Sequence, residues 1–318
     1  MEPIVDTGPA PAVLIQDLHR SYGSVRAVNG LDLRVEQGEL FALVGPDGAG
    51  KTTTIRILCG ILKPDQGTVL VLGHDVRREP GWITSNVGYF SQRFTLYGDL
   101  TVDENIEFFA RIHGVKGFRD RREELLEFTR LQPFRRRLAE RLSGGMKQKL
   151  ALACTLIHKP KLLFLDEPTT GVDPVSRRDF WKILQSLLTE GITIVMSTPY
   201  LDEAERCTRV AFMNQGRILR VDTPDGLRGE MREQVVEVVL DRVRQGYSLL
   251  RGQPGLREVQ AFGDRVNVMV ADPKSALPRL RALLTEHGIE VKSMRTIVPS
   301  LENVFISLLT HSHDGVTA

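Results

Sequence analysis

Apolar positions along this chain follow two rhythms. Short unbroken runs, Leu40 to Val44, Leu162 to Leu165, Ile192 to Met196 and Val210 to Met213, read as strands. Val13 to Leu18 and Leu31 to Val35 add early strands before glycine-containing turns. Val69 to Leu72 and Val87 to Phe90 add two more strand-like pieces. Leu40 to Val44 stops at Gly45 and gives way to a helix from about Lys51. Between Leu100 and His158 the rhythm changes: Ile106, Phe109, Ala110 and His113 fall at helical spacing, and Glu123 to Leu131 continues in charged, helical style. This is a mostly helical insert, about 96–158, within an α/β core. Strands alternating with crossover helices predict a largely parallel sheet there.

A second unit begins near Glu233. Val266, Val268 and Val270 alternate with polar or flexible residues, as in a half-buried strand, and Gly263-Asp264 before it suits a tight hairpin turn. Leu277, Leu280, Leu283 and Leu284 form one helical face; Leu301, Val304, Phe305, Leu308 and Leu309 form another. The expected organisation is therefore a tail over 1–12, a larger α/β domain over 13–232, a small α+β domain over 233–310 and a tail over 311–318. The second domain offers no cluster of nucleophile, base or metal ligands.

Composition narrows the classes. At 318 residues, 42% hydrophobic and 26% charged, the chain reads as an ordinary globular protein with room for more than one core. A net charge of +2 gives no electrostatic case for nucleic acid as a partner. Cys59, Cys154 and Cys207 are widely spaced and read as buried residues of a reducing compartment. No apolar run approaches the ~20 residues that span a bilayer. The stretch from Met1 to Ala12 has neither a basic start nor an apolar core, so it reads as a loose tail rather than a signal peptide.

The chemistry lies in two segments. Gly45-Pro46-Asp47-Gly48-Ala49-Gly50-Lys51-Thr52, followed by Thr53, sits between a strand and a helix, as a phosphate-binding loop requires. Its glycines let backbone N–H groups converge on a β-phosphate, and the helix N-terminus adds partial positive charge. Lys51 should reach the β- and γ-phosphates of ATP, and Thr52 should offer its hydroxyl to Mg²⁺. Leu162-Leu163-Phe164-Leu165-Asp166-Glu167 is an apolar strand ending in two carboxylates. Asp166 would hold Mg²⁺, and Glu167 would polarise the attacking water.

With Leu142-Ser143-Gly144-Gly145-Met146 between them, residues from about Val13 to Asp222 resemble the nucleotide-binding domain of ATP-binding cassette (ABC) transporters. The resemblance implies a P-loop NTPase core and a set of roles. Tyr22 would stack on adenine, with a packed strand-end tyrosine as the alternative. Gln92 would touch Mg²⁺ or the attacking water, the alternative being an exposed polar loop residue. Ser143, Gly144 and Gly145 would cap a helix and clasp the γ-phosphate of ATP bound to an opposite subunit. Gly171-Val172-Asp173 would cross that dimer interface, with Val172 where Leu is more usual. Asp47 stands where Asn is common in the loop. A groove around Phe94, Leu96, Tyr97 and Leu100 would receive a cytoplasmic helix of a separate membrane permease, which places this chain peripherally on the cytoplasmic face of the inner membrane. Together with Pro299-Ser300-Leu301-Glu302-Asn303-Val304-Phe305, the spacing Tyr97-Gly98-Asp99-Leu100-Thr101-Val102 resembles bacterial drug-export ATPases of the daunorubicin-resistance type.

One departure bears on chemistry. The family usually places a histidine after the strand ending at Met196, but here the text is Ser197-Thr198-Pro199-Tyr200. Pro199 donates no side-chain hydrogen bond; it is suited to the first turn of a helix. Two outcomes stay open: a slow site needing a second ATPase partner, homo- or heterodimeric, or a harmless change because Glu167 is the base. A soluble ABC ATPase of translation or DNA repair is a further alternative, although the chain carries one ATPase unit and no long coiled insertion.

Overall fold

The computed structural model describes residues 10–92, 96–231 and 233–314, with side chains through 309. Phe94 of the expected groove and residues 1–9 and 315–318 of the expected tails lie outside them. The chain divides into two compact units at 221/222.

The first unit opens with β1 (Val13–Tyr22) and β2 (Val25–Val35), an antiparallel hairpin. It continues with β3 (Leu40–Val44), α1 (Lys51–Leu58), β4 (Gln66–Val71), β5 (His74–Asp75), α2 (Pro80–Asn86) and β6 (Val87–Phe90). The helical insert follows: α3 (Val102–Ile112), α4 (Phe118–Phe128) and α5 (Gly144–Leu156). The unit closes with β7 (Leu162–Asp166), α6 (Pro174–Thr189), β8 (Thr193–Thr198), α7 (Leu201–Ala204), β9 (Arg209–Asn214) and β10 (Arg217–Asp222). These strands make two sheets. A six-stranded sheet runs β10-β9-β3-β8-β7-β6, and a four-stranded one runs β2-β1-β4-β5. Strands β6, β7, β8, β3 and β9 pair in parallel. Every residue of β3, β7 and β8 is buried, which explains their unbroken apolar text.

The antiparallel sheet was only partly expected. Strand β2 starts at Val25, six residues before the expected Leu31, and is half exposed where its apolar pattern is weakest. Strand β10 has no buried residue and gave no signal. Strand β8 runs to Thr198, past the expected end at Met196, so that Ser197 and Thr198 still belong to the sheet. Helix α7 begins at Leu201 behind Tyr200, so Pro199 precedes the cap instead of occupying the first turn as expected.

The insert is built on polar joints. Thr101 caps α3 in a reciprocal box with Glu104, whose amide lies 3.2 Å from Thr101 Oγ1 while Thr101 N donates to Glu104 Oε2 at 2.8 Å. Buried Asn105 accepts from Tyr97 N and donates to Tyr97 O, both at 3.0 Å, which fixes the loop entering the insert. Arg135 bridges Asp103 at 2.9 Å and Glu123 at 2.8 Å, tying the turn after α4 back to α3 and α4.

The second unit contains α8 (Pro224–Gly229), β11 (Gln234–Leu240), α9 (Val243–Leu250), β12 (Leu256–Phe262), β13 (Arg265–Val270), α10 (Pro273–Glu286), β14 (Val291–Ile297) and α11 (Leu301–Asp314). Helix α8 packs on α11, and the division at 221/222 puts 222–231 with this unit. Helix α11 extends into the stretch expected as a tail. The antiparallel sheet runs β12-β13-β11-β14, and with its two connecting helices this is a ferredoxin-like βαββαβ arrangement. Val236, Val238, Val266, Val268 and Val270 pack on Leu250, Leu280 and Leu284. Gly263 takes φ +47° in the two-residue turn that joins Phe262 to Arg265, as the Gly-Asp text implies.

Phe164 sits at the centre of β7 with no exposed surface, two residues before the site carboxylate Asp166. Phe164→Ala is expected to lower the unfolding free energy of the first unit by about 3–5 kcal/mol, measured by urea denaturation.

Candidate active site

The glycine loop and the β7 carboxylates meet at the ends of two parallel strands, β3 and β7, that flank β8. Strand β3 delivers Gly45 to Gly50, and α1 starts at Lys51. Gly50 caps α1 with φ +102° and offers no side-chain acceptor, so the first N–H groups of the helix have no cap of their own. A cavity of about 460 Å³ lies in front of them, lined by Tyr22, Val25, Ala27, Asp47 to Thr53, Gln92 and Glu167. The glycines turn out to be needed for different reasons. A Cβ on Gly45 would lie 2.1 Å from the Met213 carbonyl, and one on Gly50 would lie 2.2 Å from the Ala27 carbonyl. These two are fixed by the backbone of β9 and β2. Gly48, at φ +78° with open space around it, is the one that answers to the cavity.

Lys51 is buried and donates to the carbonyls of Gly45 at 2.7 Å and Pro46 at 3.0 Å. Its Nζ lies 3.8 Å from Glu167 Oε1. Burial pulls the Lys51 pKa below its ordinary value, while Glu167, Asp47 and Asp166 pull it back up. Thr52 Oγ1 donates to Asp166 Oδ1 at 3.0 Å, and Ser197 Oγ donates to the same oxygen at 2.6 Å. The other oxygen, Asp166 Oδ2, is buried without a partner. Such an orphaned acceptor beside a threonine hydroxyl fits a hydrated divalent cation. Among the described residues no group of three or more His, Cys, Asp or Glu could hold a metal. An ion here would therefore depend on Thr52, Asp166, Gln92 and the phosphates of a nucleotide.

Glu167 takes φ +48°, a strained conformation for a residue with a side chain. Its amide donates to Ser197 O and Ser197 Oγ, both at 3.1 Å. Gln92 Nε2 donates to Glu167 Oε2 at 2.9 Å, and Thr170 Oγ1 lies 3.3 Å from the same oxygen. Gln92 is exposed, yet it is tied to the carboxylate and is not a free loop residue. Tyr22 is 48% exposed at the cavity rim, which sets aside the packed-core alternative.

Ser143, Gly144, Gly145 and Asp173 do not line this cavity. Ser143 caps α5 by accepting from Met146 N at 3.3 Å. Gly144 is exposed with open space at its Cβ position, whereas a Cβ on Gly145 would lie 2.2 Å from Ser176 Oγ. Gly145 is thus a packing residue against α6. Asp173 caps α6, accepting from the amides of Val175 and Ser176 at 3.0 Å, and the hydrogen bonds from Ser176 hold its carboxyl below the usual range. Beside it Val175 is 60% exposed. Gln148 of α5 donates to the Pro168 carbonyl, which links this helix to the segment after Glu167.

Sequence reasoning missed three supports. Ser197 holds both Asp166 and Glu167, and Gln148 holds the Pro168 turn. Glu203, buried, accepts from Thr169 Oγ1 and from Thr198 Oγ1 at 2.8 Å; burial raises its pKa. The signal for the first and third was the hydroxyl pair ending an apolar strand. Pro199 follows this pair and brings no donor to it.

Leu96 lines a separate cavity of about 170 Å³ with Phe90, Phe109, His113, Cys154 and His158. Tyr97, 45% exposed, packs edge-on against Phe108 at 4.4 Å; Leu100 is half-buried. His113 and His158 stack with ring centroids 4.0 Å apart. Burial, with His113 beside it, pushes the His158 pKa down from 6.5 to about 4.

This arrangement, a strand, an uncapped glycine loop, a lysine and a strand-end carboxylate pair, defines a P-loop nucleotide-binding cassette with a helical insert. Residues 28–170 match the ABC transporter family model, and residues 223–309 match the ATP-binding protein DrrA1-3-like, C-terminal domain. The chain is 37% identical over 302 residues to the daunorubicin resistance ATP-binding protein DrrA3 of Streptomyces coeruleorubidus, covering 93% of this chain and 95% of that one. It is 50% identical over 207 residues to the probable multidrug ABC transporter ATP-binding protein YbhF of Escherichia coli K12. That match takes in 64% of this chain but spans only 36% of YbhF. The dimeric structure of MJ0796, a bacterial ABC transporter cassette, superposes with a TM-score of 0.61 at 25% identity, over 66% of this chain and 98% of that one. The chain belongs to the ABC transporter ATP-binding proteins, a family of ATP-hydrolysing nucleotide-binding domains, with a DrrA-like C-terminal domain.

Two outcomes are expected here. Gly145→Ala should reduce stability by about 1–3 kcal/mol through overpacking against Ser176, while Gly144→Ala leaves thermal stability unchanged. The second outcome concerns pH. The His158 pKa is depressed in the fold, so between its ordinary 6.5 and about 4 the unfolded chain binds the extra proton. Stability should therefore fall as pH drops through that window, by no more than about 3.4 kcal/mol at 1.36 kcal/mol per unit. Urea denaturation of His158→Asn should show a shallower slope there.

Proposed function

We propose that this protein is the ATP-binding and hydrolysing subunit of an export-type ABC transporter, driving a separate membrane permease through ATP-dependent pairing of two ATPase domains. The single observation that carries the pairing is the placement of Ser143 and Gly144. They are exposed, outside the cavity that holds Lys51 and Glu167, at the start of a helix whose N–H groups suit an anion. A nucleotide in one chain would be closed over by this loop of the second. Exposed Val175, next to Asp173, adds apolar surface to the same proposed contact. Export as the direction is supported by the drug-resistance names of the relatives. No helix of the described residues is long and apolar enough to cross a membrane, so the permease would be another chain. Peripheral attachment on the cytoplasmic face of the inner membrane follows from that pairing.

In this reading the α1 N-terminus and the Gly48 amide receive the phosphates, and Tyr22 stacks on the base. Lys51 exchanges the Gly45 and Pro46 carbonyls for phosphate oxygens. Its buried ammonium is favoured there by added negative charge, which restores the pKa that burial lowers. Thr52, Asp166 and Gln92 would hold a magnesium ion, which supplies charge neutralisation at the phosphates. Glu167 orients the attacking water and accepts its proton, with Gln92 and Thr170 fixing the carboxylate. Water adds to the γ-phosphorus as the bond to the ADP oxygen breaks. Loss of the bridging phosphate removes the differential binding that held the two domains together. Gln92 leads directly into the loop of Leu96 and Tyr97, which would pass the change to the permease.

Pro199 favours a second reading, in which this chain's own site turns over slowly and a partner ATPase contributes the faster one. Mg-ATP hydrolysis by the purified chain separates the two. Glu167→Gln should lower turnover by about 10²–10⁴-fold while nucleotide binding survives. Equal turnover would contradict the assigned base. Pro199→His should raise turnover by up to about a hundredfold if the missing donor limits the site. An unchanged rate would show that Glu167 suffices and remove the second reading.

A further inference from the structure

The base-binding end of the cavity is a hairpin tip that needs an outside support. Tyr22 is the last residue of β1 and pairs with Val25 across a two-residue turn in which Gly23 takes φ +58°. On its other side β1 pairs with β4 only as far as His19, opposite Gln66. Arg20, Ser21 and Tyr22 therefore run past the edge of β4. A strand end paired on one side only is the part of a hairpin that frays first.

Asp65, one residue before β4, replaces the missing pairing. Its amide donates to the His19 carbonyl at 2.9 Å. Its carboxylate accepts from Ser21 N at 2.7 Å through Oδ2 and from Arg20 Nη1 at 2.6 Å through Oδ1. These bonds, the Ser21 amide foremost, hold the Asp65 carboxyl below its ordinary range. Arg20 then lies over the Tyr22 ring, with its guanidinium carbon 5.1 Å from the ring centroid. Tyr22 lines the nucleotide cavity and Arg20 does not. The ring is thus covered by a cation that is itself anchored, while it also lines the cavity.

We propose that Asp65 and Arg20 are positioning residues for base recognition: Asp65 fixes the hairpin tip and the Arg20 guanidinium, and Arg20 backs the Tyr22 ring so that it is presented to the base already oriented. The benefit is pre-organisation, because a ring held before binding loses less freedom when the base arrives. The phosphate end of the site takes no part in this. Disturbing the clamp should therefore weaken ligands that carry a base and spare those that do not. The inference rests on the proposed role of Tyr22.

The test compares ADP with inorganic pyrophosphate, both with Mg²⁺, by calorimetric titration of the full chain. Neither ligand is turned over, and only ADP carries a base. The variants are Asp65→Asn, Arg20→Gln, Arg20→Lys, Tyr22→Ala and the double variant Asp65→Asn/Tyr22→Ala. Asp65→Asn and Arg20→Gln are expected to weaken ADP roughly three- to ten-fold, with pyrophosphate unchanged. Arg20→Lys should recover part of the loss, since it keeps the cation but not the planar fork. The double variant should bind ADP no worse than Tyr22→Ala alone, because all three residues act through one ring. Equal weakening of both ligands by Asp65→Asn would overturn the inference in favour of a general folding role. A Tyr22→Ala variant that weakens ADP while Asp65→Asn and Arg20→Gln are silent would overturn this inference and leave the role of Tyr22 standing. A silent Tyr22→Ala would overturn both.

Discussion

The first unit is organised around one buried carboxylate. Asp166 has no exposed surface and lies behind two residues that line the nucleotide cavity, bonded to Thr52 and next in sequence to Glu167. Burying a carboxylate is costly unless its oxygens are satisfied. Here Oδ1 takes hydroxyls from two other segments, Thr52 of the first helical turn and Ser197 of the neighbouring strand. The parallel register, with Asp166 opposite Ser197 and Val44 opposite Thr198, makes those hydroxyls arrive together. The remaining oxygen is buried without a partner, which is what the proposed magnesium site would use. The order of strands β3, β8 and β7 is thus what allows this carboxylate to be buried.

Much of this was legible because both faces of the central strands are buried. Strands β3 and β7 are continuous apolar text with chemistry at their C-terminal ends, and the loop and carboxylates could be read off directly. The half-exposed strands were harder. Strand β2 carries register shifts against β1 and has polar residues in its first half, so only its end was recognised. What sequence could not show is contact between distant segments. Ser197 reads as a strand-end hydroxyl until the register sets it beside Asp166. The glycines read as phosphate-loop residues, yet Gly45 and Gly50 answer first to the carbonyls of Met213 and Ala27. Pro199 suggested a helix start, but the Thr198 hydroxyl, bonded to buried Glu203 and to Tyr200 N at 3.0 Å, forms the turn first.

The exposed residues carry the rest of the account. Gly144 and Ser143 have open space where Gly145 is packed, and Gly171 is likewise open at φ +76°. The second unit, by contrast, places Glu237 of β11 between Arg265 and Arg295 at 2.8 and 2.9 Å, a paired arrangement that favours structure over catalysis.

The measurement that bears most directly on this account is the mass of the Glu167→Gln protein in solution, by light scattering on a sizing column, with and without Mg-ATP. The account expects a monomer without nucleotide and a dimer with it, and a return to monomer when Gly144→Asp places a charge against the proposed γ-phosphate contact. A protein that binds Mg-ATP at saturation and stays monomeric at micromolar concentration would contradict the claim that a second chain completes the site.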